Sequence, residues 1–175
     1  MNIKKITYGS SLLALGILLP FLTASNPALG AVFLLMHIPA LLGGFILGGK
    51  FGALIGFIIP LFRSVLVSMP PLYPTALIMA FELSAYGFVS GIFFKWFKNV
   101  KFGYIIALIG AMLVGRIVWG TASTIILSLA NRPYTFEAFI AGAFVTALPG
   151  IIIQLILIPI LVRTLITSGY IETNS

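Results

Sequence analysis

Long uninterrupted runs of apolar residues, separated by short polar breaks, are the main pattern along this chain. Six runs are long enough to be helices that cross a bilayer, which takes roughly 20 residues each. We place these helices at about 7–23, 33–48, 51–67, 75–95, 102–130 and 140–166. The runs do not alternate between apolar and polar residues, so they favour helices over barrel strands. The pattern therefore predicts an all-α integral membrane protein, a six-transmembrane-helix bundle that forms a single domain over residues 1–175.

Composition excludes an ordinary soluble domain, because 61% of the residues are hydrophobic and only 7% are charged. The net charge is +7, and the positions of the basic residues explain it. If the N-terminus is cytoplasmic, the cytoplasmic ends hold Lys4, Lys5, Lys50, Lys95, Lys98, Lys101 and Arg163, whereas the outer side holds Arg132. This asymmetry is typical of membrane topology. We therefore expect cytoplasmic termini, a bacterial plasma-membrane location, contact with membrane lipid, and no nucleic-acid partner.

Three charged residues lie deep inside the predicted spans, away from the cytoplasmic ends: Arg63, Glu82 and Arg116. Charged side chains within hydrocarbon are costly and usually functional. At the rise of an α-helix, these residues, together with His37 and Gln154, lie about 16–21 Å from the cytoplasmic ends of their spans. The common depth predicts that the five side chains converge on a central cavity.

Each of these charged side chains needs a partner within the bundle. Glu82 and Arg116 are expected to pair, since either charge alone in hydrocarbon is unfavourable. The pair can belong to a ligand site or only lock two helices together, and the sequence leaves both open. Arg63 has three options: it can snorkel outward, donate to backbone carbonyls, or meet an acceptor on a ligand.

Further candidate contacts lie toward the predicted outer side. Trp119 follows Arg116 by one helical turn and can stack on a flat ring. Tyr73 and Asn131 belong to proline-containing outer loops, which can close over a solute. The alternative is a purely structural role, in which these residues serve only in packing and tight turns.

Several kinds of chemistry are excluded by what the sequence lacks. Gly44 to Lys50 matches the start of a phosphate-binding loop, but Phe51 stands where Ser or Thr would hold magnesium. There is no cysteine for a thiolate site, and no aspartate for a second nucleotide motif. We therefore expect no enzyme activity, no metal and no cofactor, and an energy source in another subunit.

Four motifs within 37–94 resemble a known family. They are His37-Ile38-Pro39, the hairpin Gly48–Ala53, Met69-Pro70-Pro71, and Met79–Leu83. Through them the chain resembles the S-components, or substrate-binding subunits, of energy-coupling factor (ECF) transporters. The resemblance implies capture of a vitamin or vitamin precursor and docking on one transmembrane coupling protein and two cytoplasmic ATPases, which together form an ABC-type importer. It also implies a pocket under the outer loops, and a docking face with small residues on the first helix, here Ser10 and Ala14.

The resemblance is greatest to members assigned to hydroxymethylpyrimidine or pyridoxine, with pantothenate-type members next. Charge adds a second consideration, because two buried arginines against one glutamate would suit the carboxylate of pantothenate. If Arg63 snorkels, a neutral heterocycle fits better. A different class of function stays open too: a structural or assembly membrane protein in which the polar layer only joins helices.

Overall fold

All regular structure in the described residues, 3–23 and 26–171 of the computed structural model, is helical. The helices are α1 (Ile3–Leu18), α2 (Pro27–Phe33), α3 (His37–Leu47), α4 (Gly49–Val67), α5 (Leu77–Phe97), α6 (Gly103–Leu129), α7 (Phe136–Ile140) and α8 (Leu148–Thr167). Short irregular helical turns cover Leu19–Thr23, Leu72–Ala76 and Ala141–Thr146. Within the described residues, six segments are long and apolar enough to cross a bilayer. The predicted all-α membrane bundle is confirmed.

The largest differences between predicted and observed spans are at the starts of the second and the sixth. The second apolar segment begins at Ala28 and is broken at Leu34, whose φ of 54° lies in the left-handed region and ends α2. The chain becomes helical again at His37. The sixth span begins at Leu148, not near residue 140, because a separate irregular turn precedes it. Pro149 in the first turn of α8 favours a helix start there.

Helix α5 lies at the centre of the bundle and packs against α3, α4 and α6. Gly87 on α5 and Gly52 on α4 approach so closely that a methyl group on either would collide with the backbone carbonyl of the other. Small residues permit such contact where lipid supplies no hydrophobic drive for association. The α4 and α5 backbones are therefore directly apposed, which fixes where their side chains originate.

The outer helices complete the bundle around this centre. Helix α1 packs against α3 and α4, while α8 packs against α2, α3 and α6. Large apolar side chains such as Phe62, Leu113 and Ile117 are exposed on the outside. Hydrocarbon is a suitable solvent for such a surface, because lipid tails are as apolar as these side chains.

Candidate functional site

A buried carboxylate on α5 joins three helices. Glu82 is 2% exposed, and Arg116 of α6 donates a 2.9 Å hydrogen bond from Nη1 to its Oε1. His37, the first residue of α3, places Nε2 3.3 Å from the same oxygen, without the alignment of a hydrogen bond. The predicted Glu82–Arg116 pair is therefore present. It partly neutralises two charges that would each be unfavourable alone at this depth.

Several polar atoms around this carboxylate have no hydrogen-bond partner among the described residues. They are Nε and Nη2 of Arg116, both ring nitrogens of His37, and the hydroxyl of Tyr86. Tyr86 is fully buried, with its ring edge-on to His37 at a centroid distance of 5.2 Å. Buried polar groups in folded proteins are nearly always paired, with protein, water or ligand. The cluster thus has spare hydrogen-bonding capacity.

Arg63 on α4 takes one of the three predicted options. It is 2% exposed, and its Nη1 donates to the backbone carbonyl of Ile17 on α1 at 2.7 Å. Its guanidinium also lies over the ring of Phe21, 4.9 Å from the centroid. This hydrogen bond satisfies one donor group of the guanidinium and links α4 to the end of α1. The positive charge stays inside the bundle.

A cavity of about 540 Å³ opens beside these charges. Its wall includes His37, Arg63, Glu82, Arg116 and Trp119, which are five of the candidate residues from the sequence. Three connecting segments also contribute to the wall: Thr23 and Asn26 between α1 and α2, Met69–Pro71 between α4 and α5, and Gly142 with Thr146 between α6 and α8. The cavity therefore lies at one end of the bundle, opposite the turns at Gly48 and Lys98.

An aromatic cluster positions Trp119 in the same wall. Trp119 stacks on Phe139 at a centroid distance of 6.0 Å and meets Tyr134 edge-on at 5.9 Å. Burial raises the pKa of the Tyr134 hydroxyl above the ordinary value of tyrosine. The ring of Trp119 also packs against Gly142. This arrangement fixes the indole and presents it to the cavity.

Three other candidates lie away from the cavity wall. Gln154 is fully buried on α8, and its Nε2 is 3.5 Å from the carbonyl oxygen of Leu34. The Tyr73 hydroxyl donates to the carbonyl of Ile126 at 3.1 Å. Asn131 is exposed, with a left-handed φ of 55°. The contacts of Gln154 and Tyr73 indicate roles in holding α8 and the α4–α5 connection, and Asn131 lies just beyond the end of α6.

The predicted docking residues lie on the first helix. Ser10 and Ala14 are one turn apart on α1, and both are exposed. Helices α3 and α4 pack against α1, where Ile55 and Ile59 of α4 lie next to Gly9 and Gly16. The two small residues are accessible to a partner within the membrane, and docking stays a prediction.

Sequence reasoning missed several residues of the site. Met79 and Thr146 line the cavity, and Tyr86 completes the buried polar cluster. Tyr86 follows Glu82 by four residues, so both project from the same face of α5. That spacing was the available signal, but an aromatic residue in an apolar span is most often interpreted as packing.

Comparison with known proteins places the chain in a family. Residues 4–162 match the model of the family described as "ECF transporter, substrate-specific component". Neither the curated proteins nor the solved structures gave a significant match. Members of this family are substrate-binding transport subunits, not enzymes, and they associate with a module of a coupling component and ATPases. The match covers most of the sequence, and the chain belongs to the family of substrate-specific components of ECF transporters.

Proposed function

We propose that the cavity beside Glu82 captures a vitamin or vitamin precursor outside a bacterial cell. The captured solute crosses the plasma membrane when the chain is docked on the ATPase-driven module. One observation carries the proposal: a buried, incompletely paired polar cluster opens onto a cavity at one end of a membrane bundle. A merely structural cluster would not need an adjoining cavity.

The size and lining of the cavity suit a small solute. Its volume of about 540 Å³ falls within the range of small-molecule sites, roughly 300–1,000 Å³. The wall is largely apolar, and its charged side chains are Arg63, Glu82 and Arg116. Hydroxymethylpyrimidine, pyridoxine and pantothenate are the candidate solutes, each small enough to be enclosed.

The distribution of lysines supports an outward orientation of the cavity. The other end of the bundle carries Lys50 and Lys95, at the ends of α4 and α5, and Lys98 and Lys101 in the connection between α5 and α6. Basic residues accumulate on the cytoplasmic side of membrane proteins. When these lysines lie on the cytoplasmic side, the cavity and its three covering segments face the outside of the cell, where a nutrient arrives.

Docking follows from the exposed face of α1. Ser10 and Ala14 give that face a smooth surface, on which a helix of the coupling subunit can approach closely. ATP hydrolysis then occurs in the partner ATPases, and the chain itself contributes the solute site.

Solute capture is tested on the purified chain in detergent, by thermal unfolding and calorimetry against a vitamin panel. Met79→Trp fills part of the cavity and is expected to abolish binding of whichever solute stabilises the wild type. The matched control is Leu113→Trp on the lipid-facing surface, which is expected to leave binding unchanged. If no vitamin stabilises the wild-type chain, capture by this chain alone is refuted and a structural role is favoured.

A further inference from the structure

The second oxygen of the Glu82 carboxylate indicates the chemical class of the solute. Resting on the proposed function, we propose that the captured solute is a flat heteroaromatic ring that donates a hydrogen bond to Oε2 of Glu82 from an amino or hydroxyl group on the ring. The distinction matters because the candidate vitamins differ in this respect. Hydroxymethylpyrimidine carries a ring amino group and pyridoxine a ring hydroxyl group, whereas pantothenate has no ring and carries a carboxylate.

The first step is the environment of the two Glu82 oxygens. Oε1 accepts the 2.9 Å hydrogen bond from Arg116, and Nε2 of His37 lies 3.3 Å from the same atom. Oε2 accepts no hydrogen bond from the described residues, yet it is not one of the fully buried polar atoms that lack a partner. Because Glu82 lines the cavity, Oε2 is the oxygen that a solute can reach.

The second step is that the nearby protein donors do not serve this oxygen. The remaining nitrogens of Arg116, both ring nitrogens of His37 and the Tyr86 hydroxyl are fully buried, and none of them donates to Oε2. A carboxylate oxygen accepts hydrogen bonds, and a buried acceptor that lacks a donor is unfavourable. The donor is therefore expected from the solute. A carboxylate of the solute placed at the same point would instead be repelled by the like charge of Glu82.

The third step concerns the side chains one helical turn away from the ion pair, toward the cavity mouth. Met79 precedes Glu82 by three residues on α5, and Trp119 follows Arg116 by three residues on α6. Residues three apart share one face of a helix, and both Met79 and Trp119 line the cavity. A thioether and an indole are favourable neighbours for an aromatic ring. A ring that donates to Oε2 therefore extends toward the mouth alongside these two side chains.

The experiment compares each ring donor with an analogue that lacks it, by calorimetry on the full chain in detergent. Hydroxymethylpyrimidine is paired with the analogue in which hydrogen replaces the amino group, and pyridoxine is paired with 3-deoxypyridoxine. Pantothenate is the acyclic acid. We expect at least one ring donor to bind, with its deletion analogue about 10- to 100-fold weaker, because a hydrogen bond to a charged acceptor is lost while the ring is kept.

The outcomes separate this inference from the proposed function. A deletion analogue that binds within about threefold of its parent overturns the donor assignment while solute capture stands. Binding of pantothenate alone, or of another vitamin without a ring donor, does the same. If no vitamin binds, solute capture itself is refuted and the donor assignment with it. The ligand pairs need no substitution, so the comparison does not depend on a variant that folds.

A variant then assigns the contact to Glu82. Glu82→Gln keeps one oxygen for Arg116 and places an amide N–H₂ group, which is a donor, where Oε2 was. We expect the ring donor to bind about 10-fold or more weakly, while binding of the deletion analogue is unchanged; a purely structural role would weaken both ligands alike. Glu137→Gln, on an exposed residue outside the cavity lining, is the matched control. A folded Glu82→Gln variant with wild-type affinity for the ring donor overturns the assignment.

Discussion

Glu82→Gln tests whether the buried ion pair stabilises the bundle. Glutamine keeps the volume and one acceptor oxygen of the glutamate, so the substitution removes mainly the negative charge. Arg116 then stays buried as an uncompensated cation beside an amide. The expected result is a less stable protein that retains its helical content.

The magnitude follows from burial. Removing one partner of a buried ion pair costs about 3–5 kcal/mol in soluble proteins, because the other charge stays unpaired. Hydrogen bonds between membrane helices contribute less to stability, about 0.6 kcal/mol on average. Glu82 is 2% exposed and Arg116 is 5% exposed, so water screens neither. Since glutamine still accepts a hydrogen bond, we expect a loss of about 2 kcal/mol, between these limits.

The assay is reversible unfolding in mixed micelles with a rising fraction of denaturing detergent, followed by circular dichroism. The double variant Glu82→Gln/Arg116→Met is expected to lose less than the sum of the single losses, by about 1 kcal/mol or more. Additive losses would mean that the two residues are not coupled. A loss below about 0.5 kcal/mol for Glu82→Gln would refute a stabilising pair.

Three further predictions concern packing and the cavity wall. Gly87→Ala is expected to cost about 1–3 kcal/mol of unfolding free energy, since the methyl group meets a backbone carbonyl. Gly30→Ala, with open space around it, is the control and is expected to cost nothing. Solute binding is expected to change tryptophan emission in Trp96→Phe but not in Trp119→Phe, because only Trp119 of the two tryptophans lines the cavity. Gln154→Met is expected to leave solute affinity unchanged and to lower stability by about 1 kcal/mol, measured by calorimetry and unfolding.

The charged part of the site was predictable because charge inside hydrocarbon has few permitted environments. Glu82 and Arg116 had to find partners, and each was the other's best available one. Arg63 had to find an acceptor, and it found a backbone carbonyl. The helix count was predictable for a related reason, since apolar length alone decides whether a segment can cross.

The sequence predicted how deep each polar residue lies along its helix, but not which direction its side chain faces. Gln154 lies near the same predicted height as the other polar residues, yet α8 presents it to the carbonyl of Leu34 and not to the cavity. The break at Leu34 carried no pattern signal, because a leucine with positive φ is fixed by tertiary contacts rather than by propensity. Rotation about a helix axis and breaks of this kind depend on packing that the apolar pattern does not encode.

Binding and stability are linked in this architecture because the cavity joins segments that otherwise have few contacts. Glu82 and Arg116 project from the central helices, whereas Thr23, Asn26 and Thr146 belong to connections at the edge of the bundle. A solute that touches both sets adds contacts in the folded state which the unfolded chain lacks. At a hundred times its dissociation constant, such a solute raises the unfolding free energy by about 2.7 kcal/mol. This gain is larger than the expected loss in Glu82→Gln. A folded variant that still binds solute, at a hundred times its own dissociation constant, therefore recovers the unfolding free energy of the solute-free wild type.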